Sequence, residues 1–311
     1  MTDLRKERPV NYLVAHDNPG RQIVTFKDCR WGELIIPAPH ENPDKTENGM
    51  RVALFCSWEF GYLVMETLRE YERRFPPKLN LVGLATDNPV NHDARISMKK
   101  RIWKFYGRHE QVEMETHIIE SALVHGMPVF TGEIKTEAFY GVLRNWKPDA
   151  ILMCVFGQLV DPSIIQIPPY GIYNFHPSDL SLHQGAGPAP YDDLIARNAM
   201  TTVWSIHQVS TEIDNGAVVA KSPPISVRNM KGDIPDNCLI VYDKLTQPLS
   251  HLSVCLADRL ADRHAKRETG WLQQADFQSH FPQTFKQKLL KPIREKTHLE
   301  IFPSPDLSAF G

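Results

Sequence analysis

The stretch MRVALFCSWEFGYLVMETLREYERRFPPKLNLVGLATD, residues 50–87, decides the fold. It opens with MRVALFCSW (50–58), a continuous apolar run of the kind seen in strands covered on both faces. FGYLVMETLREYERRF (60–75) follows with helical spacing of its apolar residues. LNLVGLATD (79–87) is a second buried strand. Strand, helix and strand in succession make a βαβ unit, which implies a parallel sheet.

The pattern continues outward. MPVFTG (127–132) is a short strand and TEAFYGVLRNWKPD (136–149) a helix stopped by Pro148. AILMCVFGQLV (150–160) is the most apolar strand candidate and therefore central. GIYNFH (171–176) is the next strand, and YDDLIARNA (191–199) a helix. TTVWSIHQVST (201–211) and AVVAKSPPI (217–225) read as antiparallel strands around EIDNG. NCLIVYDKLTQPLSHLSVCLADRLADRHAKR (237–267) carries helical periodicity, with a break expected at Pro248. Residues 1–49 read as an N-terminal extension. In it, NYLVAHDNPGRQIVTF (11–26) signals a β-hairpin around Asp17-Asn18-Pro19-Gly20, and PAPHENPDKTENG (37–49) a Pro-rich linker. Residues 50–270 form the main domain and 271–311 a tail of mixed signals.

Composition excludes several classes. A chain of 311 residues is ample for a buried core, and 42% hydrophobic with 23% charged residues is ordinary for a globular protein. Net charge is −2, so bulk electrostatics make no case for nucleic acid or a membrane surface. The longest apolar runs are too short to span a bilayer, and MTDLRKERPV lacks the apolar centre of a signal peptide. Five cysteines (Cys29, Cys56, Cys154, Cys238, Cys255) are odd in number and far apart, without a CxxC or zinc-ligand spacing. These features point to a reducing cytoplasm and no structural metal. A basic cluster, KKRIWKFYGR (99–108), reads as a solvated helix face, with an anion-binding face as the alternative.

The chemistry-bearing residues gather where open α/β sheets place their ligands, at C-terminal strand ends. Asn174 and His176 are two apart and point the same way on an extended strand. A loop rich in Gly and Pro follows, then HQVSTEIDNG (207–216), which holds Asp214. Singly, each has a plain structural reading: Asp214 as a hairpin-turn residue, His207 as a packed histidine, Asp179 as a loop cap. Their order is more specific. Phe156-Gly157-Gln158 precedes Asp161-Pro162. NFHPSDL, GAGP, a strand with His207, and EIDNG then follow. This set resembles the folate-dependent formyltransferases, a family that includes the methionyl-tRNA, glycinamide ribonucleotide and sugar N-formyltransferases. Their pattern is Asn-x-His-x-Ser/Thr-x-Leu, a Gly-containing loop and a later Leu/Ile-Asp-x-Gly turn. The resemblance runs from about Arg51 to about Leu260, and YDKL (242–245) fits the closing helix of that domain.

The resemblance implies an α/β fold with a Rossmann-like, mostly parallel sheet of the formyltransferase type. It carries a short N-terminal β extension and a short C-terminal tail. It implies N10-formyltetrahydrofolate as formyl donor, with no metal. Asn174 and His176 would hydrogen-bond the oxyanion formed when an amine attacks the formyl carbon, and such placed donors are commonly the largest catalytic term. Asp214 would orient His176 and accept the proton the amine loses. The pterin would lie against Phe156, Gln158 and Val160 and the turn residues Val209, Ser210, Thr211 and Glu212.

For the acceptor, CSWEFG (56–61) lacks the Gly/Ser-rich phosphate loop of the glycinamide ribonucleotide enzymes. After YDKL the chain is shorter than the C-terminal barrel of the methionyl-tRNA enzymes, with one short basic run, KQKLLKPIREK (286–296). A large polyanion wants a broad basic face, so tRNA is not the expected partner. The expectation is a small-molecule amine such as a nucleotide-linked amino sugar, or a hydroxylamine, in a protein with room for a homodimer. The alternatives are a methionyl-tRNA formyltransferase-like enzyme with a truncated C-terminal region, a formyltetrahydrofolate hydrolase, and a non-catalytic binding protein that keeps the fold.

Overall fold

The computed structural model describes residues 18–27, 32–42, 48–87, 108–185, 190–229, 231–234, 241 and 244–277. Residues 11–17 of the expected hairpin, Cys29, the basic cluster up to 107, residues 186–189 of the Gly-Pro loop, Cys238 and the run 286–296 lie outside them. In chain order the elements are β1 (Gln22–Thr25), β2 (Gly32–Ile36), β3 (Met50–Cys56), α1 (Trp58–Arg74), β4 (Leu79–Thr86) and α2 (Arg108–Val124). Then come β5 (Val129–Gly132), α3 (Glu137–Trp146), β6 (Ala150–Cys154), the one-turn α4 (Pro162–Ile165), β7 (Ile172–His176) and α5 (Pro190–Ala196). The chain closes with β8 (Thr201–Thr202), β9 (Ser205–Gln208), β10 (Val218–Lys221), β11 (Ile225–Ser226) and α6 (Thr246–Ala265).

Nine strands form one mixed sheet in the order β1-β2-β5-β4-β3-β6-β7-β9-β10. The five central strands, β5 to β7, run parallel. An antiparallel pair extends each side: β2 and β1 beyond β5, β9 and β10 beyond β7. The described strands of the N-terminal extension are thus part of the sheet. Arg21, buried, ties that segment to α2 through Glu120 at 2.6 Å.

The central strands read as unbroken apolar runs because helices cover both faces. Val52, Leu54 and Cys56 of β3 pack in one layer with α1, α2 and α6, while Ala53 and Phe55 pack in the other with α3. The same alternation splits Leu152 and Cys154 from Ile151 and Met153 on β6. α1 ends where Pro76-Pro77 can supply no further helical N–H. α3 starts on Thr136, whose side chain accepts from Phe139 N–H at 3.2 Å. It stops at Trp146 rather than at Pro148: Lys147 turns left-handed (φ 47°) to end it before the proline restricts its neighbour.

Pro248 is not a break. It is the third residue of α6, in the turn whose N–H groups have no intrahelical acceptor. Beyond α6, Leu272 N–H donates to the Tyr173 hydroxyl at 2.7 Å, and Leu272 and Phe277 are buried, so residues 271–277 pack back onto β7. Among the described residues no helix is long and apolar enough to cross a membrane.

Candidate active site

β3 and β6 are neighbours, but the chain leaves β3 toward β4 and β5, and leaves β6 toward β7. Successive connections diverge there, and a crevice opens at the carboxyl ends of the strands. Ser57 N–H bridges the lip to Cys154 O at 3.3 Å. The loop after β9 (209–214) folds over the opening, and a cavity of ≈ 290 Å³ results. Asn174, His176 and Asp214 line it, as do Phe156, Gln158, Val160, Val209, Ser210, Thr211 and Glu212. The three candidate catalytic residues and the seven candidate pterin contacts therefore line one space.

The backbone around this space is strained. Trp58 (φ 58°), Val155 (φ 51°) and Asp214 (φ 52°) all sit in the left-handed region. Asp tolerates it, but a β-branched valine there is costly, about 1–3 kcal/mol, and persists only when surroundings over-determine it. Gly216 explains the Asp-Asn-Gly turn: a Cβ there would lie 1.7 Å from Gln208 O. Only glycine lets the loop approach β9 closely enough to aim Asp214 at the cavity.

Asn174 and His207 stand directly opposite on the antiparallel pair β7–β9, where side chains on one face meet. His207 Nδ1 lies 2.9 Å from Gln208 O, which can only accept, so Nδ1 carries the proton. Nε2 is then an acceptor and receives Asn174 Nδ2–H at 3.0 Å. This bond sets which way the Asn174 amide points and leaves its second N–H for the cavity. Burial, countered in part by Asp214, pushes the His207 imidazole down to about 4, so it stays neutral. His207 is packed, as expected, and it also orients the Asn174 amide.

His176 is held from its other nitrogen. Ser178 Oγ–H donates to Gly185 O at 3.1 Å, so Ser178 Oγ accepts from His176 Nδ1–H at 2.8 Å. Nε2 is left facing Asp214, whose Oδ2 lies 3.4 Å away; Asp214 Oδ1 lies 3.7 Å from His207 Nε2. These distances exceed a good hydrogen bond. Ser178 therefore orients His176, and Asp214 supplies a nearby charge. Ser178 occupies the Ser/Thr position of the Asn-x-His-x-Ser motif, a signal that was present in the sequence. Gly185 (φ 67°) permits the contact, since a Cβ there would come within 2.8 Å of Ser178 Cβ. Asp179, read as a loop cap, stands at the N-cap of the turn Leu180–Leu182, where its carboxylate accepts from Ser181 Oγ–H at 2.6 Å and pairs with Lys221 at 3.2 Å.

Gln158 lines the cavity, but its side chain is spent on the scaffold. Its Nε2 donates to Gly132 O at 2.8 Å, and its Oε1 accepts from Ile134 N–H at 3.1 Å. Asp87, 2% exposed, accepts from Gly157 N–H at 2.6 Å and so fixes the same loop. Burial pushes the Asp87 carboxyl up to about 6. Next to it Glu115, also buried, is pushed well above the carboxylate range by burial first and the Asp87 charge second. Among the described residues no His, Cys, Asp or Glu cluster has a metal-binding arrangement.

Residues 82–236 match the family model described as formyl transferase. Methionyl-tRNA formyltransferase of Dictyoglomus turgidum is 28% identical over 175 residues, covering 55% of this chain and 48% of that protein. Its counterpart in Dictyoglomus thermophilum is 27% identical over 190 residues, covering 60% and 53%. The chain thus spans about half the length of these curated relatives. The crystal structure of glycinamide ribonucleotide transformylase 1 from Symbiobacterium toebii superposes with a TM-score of 0.51 at 14% identity, over 70% of this chain and 90% of that one. This likeness shows a shared fold.

Proposed function

Over residues 82–236 the chain belongs to the formyl transferase family, and on that premise we propose that it moves the formyl group of N10-formyltetrahydrofolate to a primary amine of a small-molecule acceptor. One observation carries the reading: Asn174, His176 and Asp214 converge on a single cavity at the sheet's switch point, beside peptide edges suited to a flat heterocycle. Met153, Phe156, Val160 and Val209 offer apolar walls for the pterin. The backbone of 156–160 and 209–212 supplies donors and acceptors for its edge. Because the Gln158 amide is already paired, recognition at that position falls to the peptide groups.

The residues then have distinct tasks. The amine nitrogen bonds to the formyl carbon and the carbonyl electron pair moves onto oxygen. The second Asn174 N–H and a His176 Nε2–H hydrogen-bond that oxygen while His176 Nδ1 stays on Ser178, each donor worth about 2.7–4 kcal/mol in the transition state. Asp214 takes the proton released by the attacking nitrogen, directly or through a water, and returns it to N10 as the C–N10 bond breaks. Ser178 and His207 keep the two donors aimed. Amino sugars and hydroxylamines both present a suitable free electron pair, and the reading places the reaction in the cytoplasm.

A second reading, formyl transfer to methionyl-tRNA, is favoured by the names of the curated relatives. A steady-state assay with N10-formyltetrahydrofolate separates these. Turnover that needs a small amine supports the first reading. Turnover that needs charged initiator tRNA supports the second. Donor consumption at the same rate without any acceptor identifies a hydrolase and refutes both.

A further inference from the structure

The loop after β6 carries the peptide edge assigned to the pterin, and side chains, not strand pairing, hold it in place. In the sheet order β5-β4-β3-β6, Gln158 reaches from the end of β6 across the ends of β3 and β4 to β5. There it pairs with the backbone much as a neighbouring strand does. Its Nε2–H donates to Gly132 O at 2.8 Å, and its Oε1 accepts from Ile134 N–H at 3.1 Å. Asp87, the residue after β4, holds the adjoining peptide: its Oδ2 accepts from Gly157 N–H at 2.6 Å. Val155, just upstream, is kept in the left-handed region (φ 51°), so the loop takes this course only while its anchors hold.

The Asp87 anchor works as a carboxylate. The bond from Ile134 fixes the Gln158 amide so that its Nε2 faces Asp87 Oδ1, at 3.4 Å. Both carboxylate oxygens therefore meet donors. A protonated carboxyl, or an Asn amide, would set a donor against one of them. Yet little supports the charge. Asp87 is buried. Facing it are Ser57 from the N-cap of α1, whose Oγ accepts from Asp87 N–H at 2.8 Å, Gly157 and Gln158 from the loop after β6, and the buried Glu115 from α2. Among the described residues no Lys, Arg or His is paired with it. Burial therefore pushes the Asp87 carboxyl up to about 6, and the bonds from Gly157, Gln158 and Ser57 oppose this only in part.

We infer that Asp87 is a positioning residue for the formyl donor: as a carboxylate it sets the Gly157 peptide, and with it the 156–160 edge on which the pterin is read. Uptake of a proton by Asp87 releases that peptide and weakens donor binding. The inference rests on the donor reading above and adds the group that governs its acid dependence. Asp87 does this from outside the cavity, since it is not among the residues that line it.

Two measurements on the full chain test this. Wild type labelled with ¹⁵N-glycine is followed by NMR from pH 7.5 to pH 5, with the Gly157 amide assigned from a Gly157→Ala variant. Folinic acid binding is measured calorimetrically over the same range. The Gly157 amide proton should move upfield on acidification with a midpoint of about 6. Folinic acid affinity should fall about tenfold between pH 7.5 and pH 5, in step with the fraction of chains whose Asp87 stays ionised. Asp87→Asn should bind folinic acid about tenfold more weakly at pH 7.5 and lose the acid dependence. Glu115→Gln should keep it, which places the titration on Asp87. His176 and Asp214 survive in Asp87→Asn, so an acid dependence that persists in that variant belongs to them and overturns the inference. A wild-type Gly157 signal that ignores pH overturns it too, as does Asp87→Asn affinity within about twofold of wild type. If wild type binds no folinic acid at any pH, the donor reading falls, and the Gly157 titration still decides whether Asp87 sets the loop.

Discussion

Replacing His207 by phenylalanine keeps the ring's volume and removes both nitrogens. Two hydrogen bonds disappear: Nδ1–H to Gln208 O, and Asn174 Nδ2–H to Nε2. At about 1 kcal/mol each, plus the cost of leaving a buried carbonyl unpaired, the variant should lose roughly 2–4 kcal/mol of stability near pH 7. The Asn174 amide keeps its place on β7 but loses what selects one of its two orientations. A bias of about 1 kcal/mol corresponds to about fivefold in population, so kcat should fall roughly five- to twentyfold. That is well short of the loss expected from deleting a donor. Acid adds a second signature. The folded-state pKa of His207 is near 4 and the unfolded one near 6.5. As pH falls through 6.5 the unfolded chain takes up this proton first, so wild-type stability declines between about 6.5 and 4, by up to about 3 kcal/mol. The Phe variant has no such proton to bind, so its stability deficit should shrink over that interval. Urea titrations at pH 7 and pH 4.5, with steady-state kcat at pH 7, read all three quantities. A kcat within twofold of wild type would show that His207 does not orient the amide. A fall beyond about 10³ would show direct participation in the chemistry. A pH-independent deficit would contradict a neutral His207.

Asn174→Ala and His176→Ala should each lower kcat by roughly 10²–10³ with folate affinity within a few-fold, because oxyanion donors act in the transition state; more than about a tenth of wild-type kcat would remove the residue from that role. Asp214→Asn preserves the left-handed turn, which Asn tolerates, so the melting temperature should barely move while kcat falls about 10² or more; a folded variant with near-normal turnover would return Asp214 to a turn residue. Glu115→Gln should stabilise the protein increasingly from pH 5 to pH 8. The raised folded-state pKa makes wild-type stability fall as pH climbs above the unfolded value, and Gln has no proton to lose. Calorimetric melting at the two pH values decides it, and a variant less stable than wild type at pH 8 would contradict a carboxyl held neutral by burial and by Asp87.

The parallel block was legible because burial on both faces writes itself as continuous apolar strands, as in β3, β4 and β6. The shared position of Asn174, His176 and Asp214 at one end of the sheet was legible through spacing and order. What sequence could not show is register. Asn174 lies thirty-three positions before His207, and only the antiparallel pairing of β7 with β9 brings them together. The roles of β1 and β2 as sheet edges depend likewise on long-range pairing with β5. Pro248 misled because its effect depends on position: harmless in a first turn, disruptive farther in. Gln158 lines the cavity as expected, but its side-chain amide is held by Gly132 and Ile134, partners that no local pattern reveals.

The most direct measurement follows a labelled carbon. N10-[¹³C]formyltetrahydrofolate is incubated with an accepted small amine and with wild type or His176→Ala, and the amine is examined by mass spectrometry for the labelled formamide. Wild type should transfer the label stoichiometrically with donor consumed, and His176→Ala should transfer it at least about a hundredfold more slowly. Donor consumed without label on the amine, or transfer by the variant at a rate near that of wild type, would contradict formyl transfer at the Asn174–His176–Asp214 site.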